Sequence, residues 1–383
     1  MCDADCMDSL CMIVVISQHE RSVTGGHKRL DRLVSHLADS ANRLMWITPK
    51  RQGWSPCCDA HVVPRPVSFP GVPTGLSFLV GITKHAYEIR KVRDDVKLVV
   101  TFGETTIPAA LFVSFLTGAP LSLGVRANVP KRRYFNRKNV GALRAQLYRV
   151  RDFFFHRMLR YAYRRSVQVV VQTHQARQQL CDYYAIPPLD VTVLGNDIPS
   201  EARVEMEKKE FAKSPIRVLF VGNSSAIKGV DILLQSLKHL PETDVSIREA
   251  TLVGRGIEKQ AAAIDSTVRI NCIEWSGAVF ELMRTHDLLI VPSREDQFPN
   301  VVLEAMAVGL PVIGSDVDGI AHMLQEQFVL FPPGDVGGLL QSMVRVSKPH
   351  GYALARRIIN ERRHKFLFDW CERYCDLLSQ VMR

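Results

Sequence analysis

The chain has 383 residues, 46% of them apolar and 23% charged, with 23 Gly and 20 Pro. That is enough for roughly two or three domains of ordinary size, and it excludes a disordered, collagen-like or disulfide-scaffold protein. The net charge of +10 is local: residues 126–165 hold thirteen Arg or Lys against the single acid Asp152, leaving −2 for the rest. A basic block of this size points to an acidic partner such as nucleic acid, anionic lipid or a phosphorylated substrate.

Nine cysteines are scattered without pairing, which suits a reduced, cytosolic setting. Cys2, Cys6 and Cys11 have no companion CxxC or HxxxH pair and read as free thiols. Asp3, Asp5 and Asp8 stand where a signal peptide would be basic, and the apolar run 12–16 is too short for its core, so no signal peptide is expected.

In chain order, 12–17 reads as a strand, Thr24-Gly25-Gly26 as a turn, and Leu30, Leu33, Val34 and Leu37 as the apolar stripe of a helix. Further buried strands are expected at 98–102, 121–125 and 168–172. The uncharged stretch 105–125 is long enough to span a bilayer. Pro108, Gly118, Pro120 and Gly124 divide it, however, and predict a buried helix, a turn and a strand. Residues 143–166 read as a helix with Arg and aromatic side chains distributed around it. Residues 200–215 are polar and read as a linker between an N-terminal domain over 1–199 and a second domain over 216–350.

The second half repeats the pattern: a strand to Val221, a turn, a helix with Val230, Leu233, Leu234 and Leu237 on one face, then strands ending at Val253, Pro292 and Gly314. Strands alternating with helices of about ten residues imply parallel sheets covered on both faces. Residues 351–383 read as C-terminal helices. The architecture expected is α/β, with two doubly wound Rossmann-like domains facing across a cleft.

The most informative string is 291–314, VPSREDQFPNVVLEAMAVGLPVIG. A strand ends at Pro292, a loop carries Arg294, Glu295 and Asp296, and a helix starts near Asn300, where free N–H groups can meet an anion. Asp296 and Glu304 are separated by seven residues. Taken alone, Asn300 would be an N-cap and Glu304 an acid favoured by the helix dipole. Upstream, Gly222-Asn223-Ser224-Ser225-Ala226-Ile227-Lys228-Gly229 joins a strand to a helix. A lysine at a helix start opposes the macrodipole unless an anion joins it or solvent surrounds it.

These strings resemble the GT-B fold glycosyltransferases of the large retaining family 4. That pattern is Glu, seven residues, Glu, then Ala-Met-Ala-x-Gly-x-Pro-Val, matched from Glu304 to Val312 with Asp296 in place of the first Glu. The resemblance implies that Glu304 holds the ribose of a nucleotide and Asp296 the donor sugar. The amides near Phe298, Asn300 and Val301 would face the diphosphate and Lys228 a phosphate. Gly222, Asn223, the Gly254-Arg255-Gly256 turn and Trp275 would complete the nucleotide site. Asp296, Lys228 and Glu304 would carry the chemistry.

In the first half, Gly25 and Gly26 resemble the family's glycine loop, with a plain turn before a helix as the other reading; His27 and Arg126 join it as candidate contacts to acceptor or phosphate. The run 194–198 resembles the marker that closes the first domain, and 366–383 the helix that crosses back to complete it.

The resemblance implies transfer of a sugar from a UDP- or GDP-linked donor to a glycan or lipid-linked acceptor with retention, in surface polysaccharide or glycolipid synthesis. No metal and no cofactor is expected, and Asp316-Val317-Asp318 reads as a turn. Asp296, Asn223 and His322 depart from the family pattern, with Glu295 able to stand in for Asp296. A non-catalytic GT-B-like subunit and a sugar-nucleotide epimerase are the alternatives. For the basic block, an anionic membrane surface, nucleic acid and a solvated half-buried helix are the readings; no nucleic-acid module accompanies it. A cytoplasmic protein, peripheral on the inner membrane face, is the location implied.

Overall fold

Short apolar runs become inner strands because a parallel sheet covered by helices on both faces buries every side chain. In the computed structural model, β1 (Met12–Ile16), β5 (Leu121–Gly124) and β6 (Gln168–Val171) are buried along their whole length. With β2 (Arg43–Pro49), β3 (Ala60–Val63), β4 (Val96–Phe102) and β7 (Val191–Val193) they form a parallel sheet of order β3-β2-β1-β4-β5-β6-β7. A second parallel sheet has the order β10-β9-β8-β11-β12-β13. Its strands are β8 (Ile216–Val221), β9 (Ile247–Val253), β10 (Arg269–Ile273), β11 (Leu288–Val291), β12 (Val312–Ser315) and β13 (Leu330–Phe331). Both sheets are doubly wound α/β layers.

The structure describes residues 12–17, 25–39, 43–49, 60–63, 79–80, 82–83, 85–126, 142–198, 202–203, 216–240 and 247–382. The readings of Cys2, Cys6 and Cys11, of the basic residues over 131–138, and of most of the expected linker fall outside them.

Each sheet has its own core. Leu121, Leu123, Val169 and Val171 contribute to the first, and Val218, Leu252, Leu289 and Ile313 to the second. Chain contacts divide the described residues into one unit built from those within 12–126, 142–194 and Trp370–Met382, and another from those within Gly195 to Asp369. Helix Pro349–Arg363 buries Ala355, Ile358 and Ile359 within the second core. The expected return of the chain therefore starts at Trp370, later than 351 or 366. There Trp370 and Tyr374 pack their rings 6.3 and 5.2 Å from Phe102.

The uncharged stretch resolves as the residues predict. Helix Ile107–Thr117 opens with Pro108 in its first turn and closes at Gly118, and β5 follows. Among the described residues no helix is long and apolar enough to cross a membrane.

Two sequence expectations change. Gly25 and Gly26 are not a turn: they form the first turn of helix Gly25–Asp39. Helix Ala142–Arg165 is also not uniform around its axis. Asp152, Leu159, Ala162 and Tyr163 face inward, whereas Arg149, Val150, Phe153, Phe154, Arg157, Arg160, Tyr161 and Arg164 are exposed. The exposed positions recur every three or four residues, the spacing of one helix face. The only acid of the block is thus buried, and cations and rings share the outer face.

Just before β11, His286 is 5% exposed, with Nδ1 2.6 Å from the Leu282 carbonyl oxygen and Nε2 2.8 Å from Thr251 Oγ1. Both ring nitrogens thus have a hydrogen-bond partner inside the fold. Burial lowers its pKa below the ordinary value, outweighing the carbonyl contact. Unfolded chains bind a proton at His286 below about pH 6.5, which the folded ring resists. The contribution is constant above that pH and stability falls as pH drops below it. Urea midpoints from pH 8 to pH 5 should decline less steeply in His286→Gln than in the parent.

Candidate functional site

The strand order of the second sheet reverses between β8 and β11, which pair directly. Loops leaving the carboxyl ends of two such strands diverge and leave a crevice, the usual ligand position in an open α/β sheet. The β8 loop carries Gly222 to Gly229, and the β11 loop carries Pro292 to Pro299. Both predicted strings therefore arrive at one place.

Backbone approach sets the crevice. Gly229 has φ of 67°, and a Cβ there would lie 1.9 Å from the Pro292 carbonyl oxygen. Gly254, after β9, has φ of 156°, and its Cβ would lie 1.6 Å from the Gly222 carbonyl oxygen. Only glycine permits either contact. Gly222 N–H donates to Val253 and Ser224 N–H to Arg255, so the β8 and β9 loops are tied in register.

At the centre, Lys228 Nζ donates to Asp296 Oδ2 at 2.5 Å. Their side chains are 35% and 13% exposed, so solvent reaches the pair from the lysine side. Glu295, the neighbouring acid, is 7% exposed. The Asp296 carbonyl accepts from Gly319 N–H at 3.0 Å, tying the loop to helix Asp318–Leu324.

Helix Asn300–Val308 starts beside them with Pro299 at its N-cap and no side-chain cap. Asn300 is thus not the N-cap. Its Oδ1 accepts instead from Asn196 Nδ2 at 3.2 Å, which brings the 194–198 marker to the helix start. The first-turn N–H groups of any helix lack intrahelical acceptors and present a positive end. Glu304 is half-buried one turn further on.

Local sequence marks Arg294 only as a loop residue. Its guanidinium grips Asp231 at 2.8 and 2.6 Å and the Ala226 carbonyl at 2.7 Å. The hydrogen bonds to Asp231 raise the arginine pKa further. Burial would raise the Asp231 carboxyl, but the Arg294 bonds and charge outweigh it and hold the group low. No local signal connects residues 63 apart in sequence.

Several predicted residues take other parts. Asn223 Oδ1 accepts from Ser225 N–H at 3.1 Å, an Asx turn that shapes the loop. Phe298 is buried, 5.9 Å from the Phe366 ring and 6.0 Å from His322, and anchors the loop from below. The Phe298, Asn300 and Val301 amides remain at the helix start. Trp275 is 62% exposed beyond β10. Gly256 meets Ser224. Asp316 is exposed and Asp318 begins a helix. Among the described residues no group of three His, Cys, Asp or Glu could hold a metal ion.

In the first unit, Gly25, Gly26 and His27 begin the helix that follows β1. Arg126, just past β5, lies 5.1 Å over the Phe102 ring and 5.8 Å over Trp370. Arg29 approaches the same Trp370 at 5.9 Å. Burial, then the Arg29 charge, lowers the Arg126 pKa to about 10.

Two doubly wound parallel units in one chain define the GT-B glycosyltransferase fold. Residues 215–348 match the family model described as glycosyl transferases group 1. A D-inositol 3-phosphate glycosyltransferase of Geodermatophilus obscurus is 27% identical over 241 residues, 55% of this chain and 51% of its own length. The lipopolysaccharide glucosyltransferase WaaG of Escherichia coli is 34% identical over 136 residues, 34% and 36% of the two chains. The chain thus spans about half or less of the curated relatives it matches. Among solved structures, Anabaena HepE in complex with UDP and glucose superimposes with a TM-score of 0.72 at 15% identity, covering 97% of this chain and 100% of that one. WaaG does so at 0.72 and 18% identity, covering 96% and 99%.

Gly229→Ala tests the close approach. It should lower unfolding free energy by about 2 kcal/mol or more, from the left-handed backbone plus displacement of Pro292. Gly334→Ala, with φ of 85° and open space around it, serves as control. It should show only the backbone cost of about 1 kcal/mol in the same urea titration.

Proposed function

We propose that this protein is a retaining glycosyltransferase of family 4, moving a sugar from a UDP- or GDP-linked donor to a glycan or lipid-linked acceptor. The observation that carries the reading is the Lys228–Asp296 pair at 2.5 Å, held at the strand-order reversal of a group 1 glycosyltransferase region. Lys228 and the first-turn amides of helix Asn300–Val308 would meet the charge that develops on the departing diphosphate. Asp296 would hold the donor sugar and Glu304 the ribose. The bond from the anomeric carbon to the diphosphate breaks while the acceptor oxygen bonds that carbon on the same face. The acceptor proton passes to the leaving phosphate. Arg126, Gly25, Gly26 and His27 would serve the acceptor or its phosphate in the first unit. Neither metal nor cofactor has a part in this scheme.

The same reading covers the basic helix. Its outer face carries Arg149, Arg157, Arg160 and Arg164 with Phe153, Phe154 and Tyr161, the rings 58%, 65% and 56% exposed. Cations suit anionic headgroups and aromatic rings suit the interface below them. A cytoplasmic protein resting on the inner membrane face would meet lipid-linked acceptors there, in surface polysaccharide or glycolipid synthesis.

Two experiments test these statements. Across UDP- and GDP-sugars, with lipid acceptors, transfer or slow donor hydrolysis by the parent should fall at least about 100-fold in Asp296→Ala and Lys228→Ala. A parent silent across the panel would favour a binding subunit without turnover. In the second, reversing Arg157, Arg160, Arg164 and Arg165 to Glu should release the protein from anionic vesicles at moderate salt. Unchanged sedimentation with the vesicles would exclude the helix as the contact.

A further inference from the structure

We propose that Arg294 is the positioning residue of this site, setting the place of Lys228 without touching the donor; the inference rests on the donor-site reading above. Arg294 lies two residues before Asp296 and contacts the chain on both sides of Lys228, the β8 loop before it and the first turn of the next helix after it. Its backbone N–H donates to the Ile227 carbonyl at 2.7 Å. Nη1 donates to the Ala226 carbonyl at 2.7 Å and to Asp231 Oδ1 at 2.8 Å. Nη2 donates to Asp231 Oδ2 at 2.6 Å. Ala226 and Ile227 precede the lysine and Asp231 follows it, so one side chain clamps the segment that carries Lys228. The same residue is joined to Asp296 by two peptide units, which are nearly rigid.

The other end of the clamp is also fixed. Asp231 is in the first turn of helix Val230–Lys238, where the dipole favours an anion. Its carboxylate is therefore held by the helix as well as by the arginine. A planar fork engaging both oxygens is geometry that lysine cannot reproduce.

Energetics separate this role from plain stability. The side chains of Arg294 and Asp231 are 24% and 52% exposed, and ion pairs so open to water contribute little to folding. Positional precision is another matter. The Lys228 side chain is a flexible stem, so its reach to a phosphate depends on where its backbone is held. A displacement of about 1 Å at such a group can cost orders of magnitude in function. Loosening the clamp should thus be felt at the lysine before it is felt in the fold.

The experiment is calorimetric titration of UDP and of GDP into the full chain. The set is the parent, Arg294→Lys, Asp231→Asn, Lys228→Met, and Arg294→Lys combined with Lys228→Met. Arg294→Lys and Asp231→Asn should each weaken the diphosphate that the parent binds by roughly tenfold. Melting temperatures should stay within about 2 °C of the parent. In the Lys228→Met background, Arg294→Lys should add no further loss, because the residue it positions is gone. Asp231→Asn carries the same test should Arg294→Lys fail to fold. Unchanged affinity in Arg294→Lys, or a full further loss on top of Lys228→Met, would overturn the positioning role alone. A parent that binds neither nucleotide, or a Lys228→Met variant that binds as well as the parent, would overturn the donor-site reading and this role with it.

Discussion

The arrangement of the second unit depends on one topological fact: β8 and β11 are neighbours, and the chain leaves them in opposite directions. Parallel strands put all their carboxyl ends on one edge, so every loop of functional interest emerges there. At the reversal no crossover covers the gap, and two loops 60 to 70 residues apart in sequence meet across it. Lys228 and Asp296 form their ion pair at that meeting. Glycine makes the approach possible, since Gly229 against Pro292 and Gly254 against Gly222 leave no room for a Cβ. The backbone is thereby locked before any side chain is placed, and the side chains inherit their positions from it.

Charge is handled differently in each part of the molecule. At the reversal, the cations of Lys228 and Arg294 face Asp296 and Asp231, and the loops are neutralised in pairs. In the first unit, Arg126 is stacked on Phe102 and Trp370, so aromatic faces offset part of the cost of burying a guanidinium. Along Ala142–Arg165 the positive charge is instead spread over the solvent face, and the only acid is turned inward. Arg149, Arg157, Arg160, Arg164 and Arg165 thus lie on one exposed helix face, apart from the ion pairs at the reversal.

Much of this was legible in the residues. Strand and helix alternation, the division of 105–125 into helix and strand, and the doubly wound class follow from hydrophobic period and from proline and glycine positions, which act within a few residues. Strands β3, β7 and β13, with two to four residues each, have too little pattern to stand out. The sorting of the basic helix was also hidden. Its inward and outward faces both hold rings, so polarity does not mark them, and only packing against the first core does.

The sequence by itself determined the longer inner strands and their helices, the doubly wound class, and the two strings that carry Lys228 and Asp296. The tertiary structure alone decided that Asp296 meets the lysine, that Asn300 bonds Asn196 instead of capping its helix, and that Arg294 grips Asp231. The reason is the range of the forces concerned. Local pattern reports on neighbours a turn or a strand apart, whereas these contacts join residues 68, 104 and 63 positions apart. They exist only once the order of strands has brought the loops together.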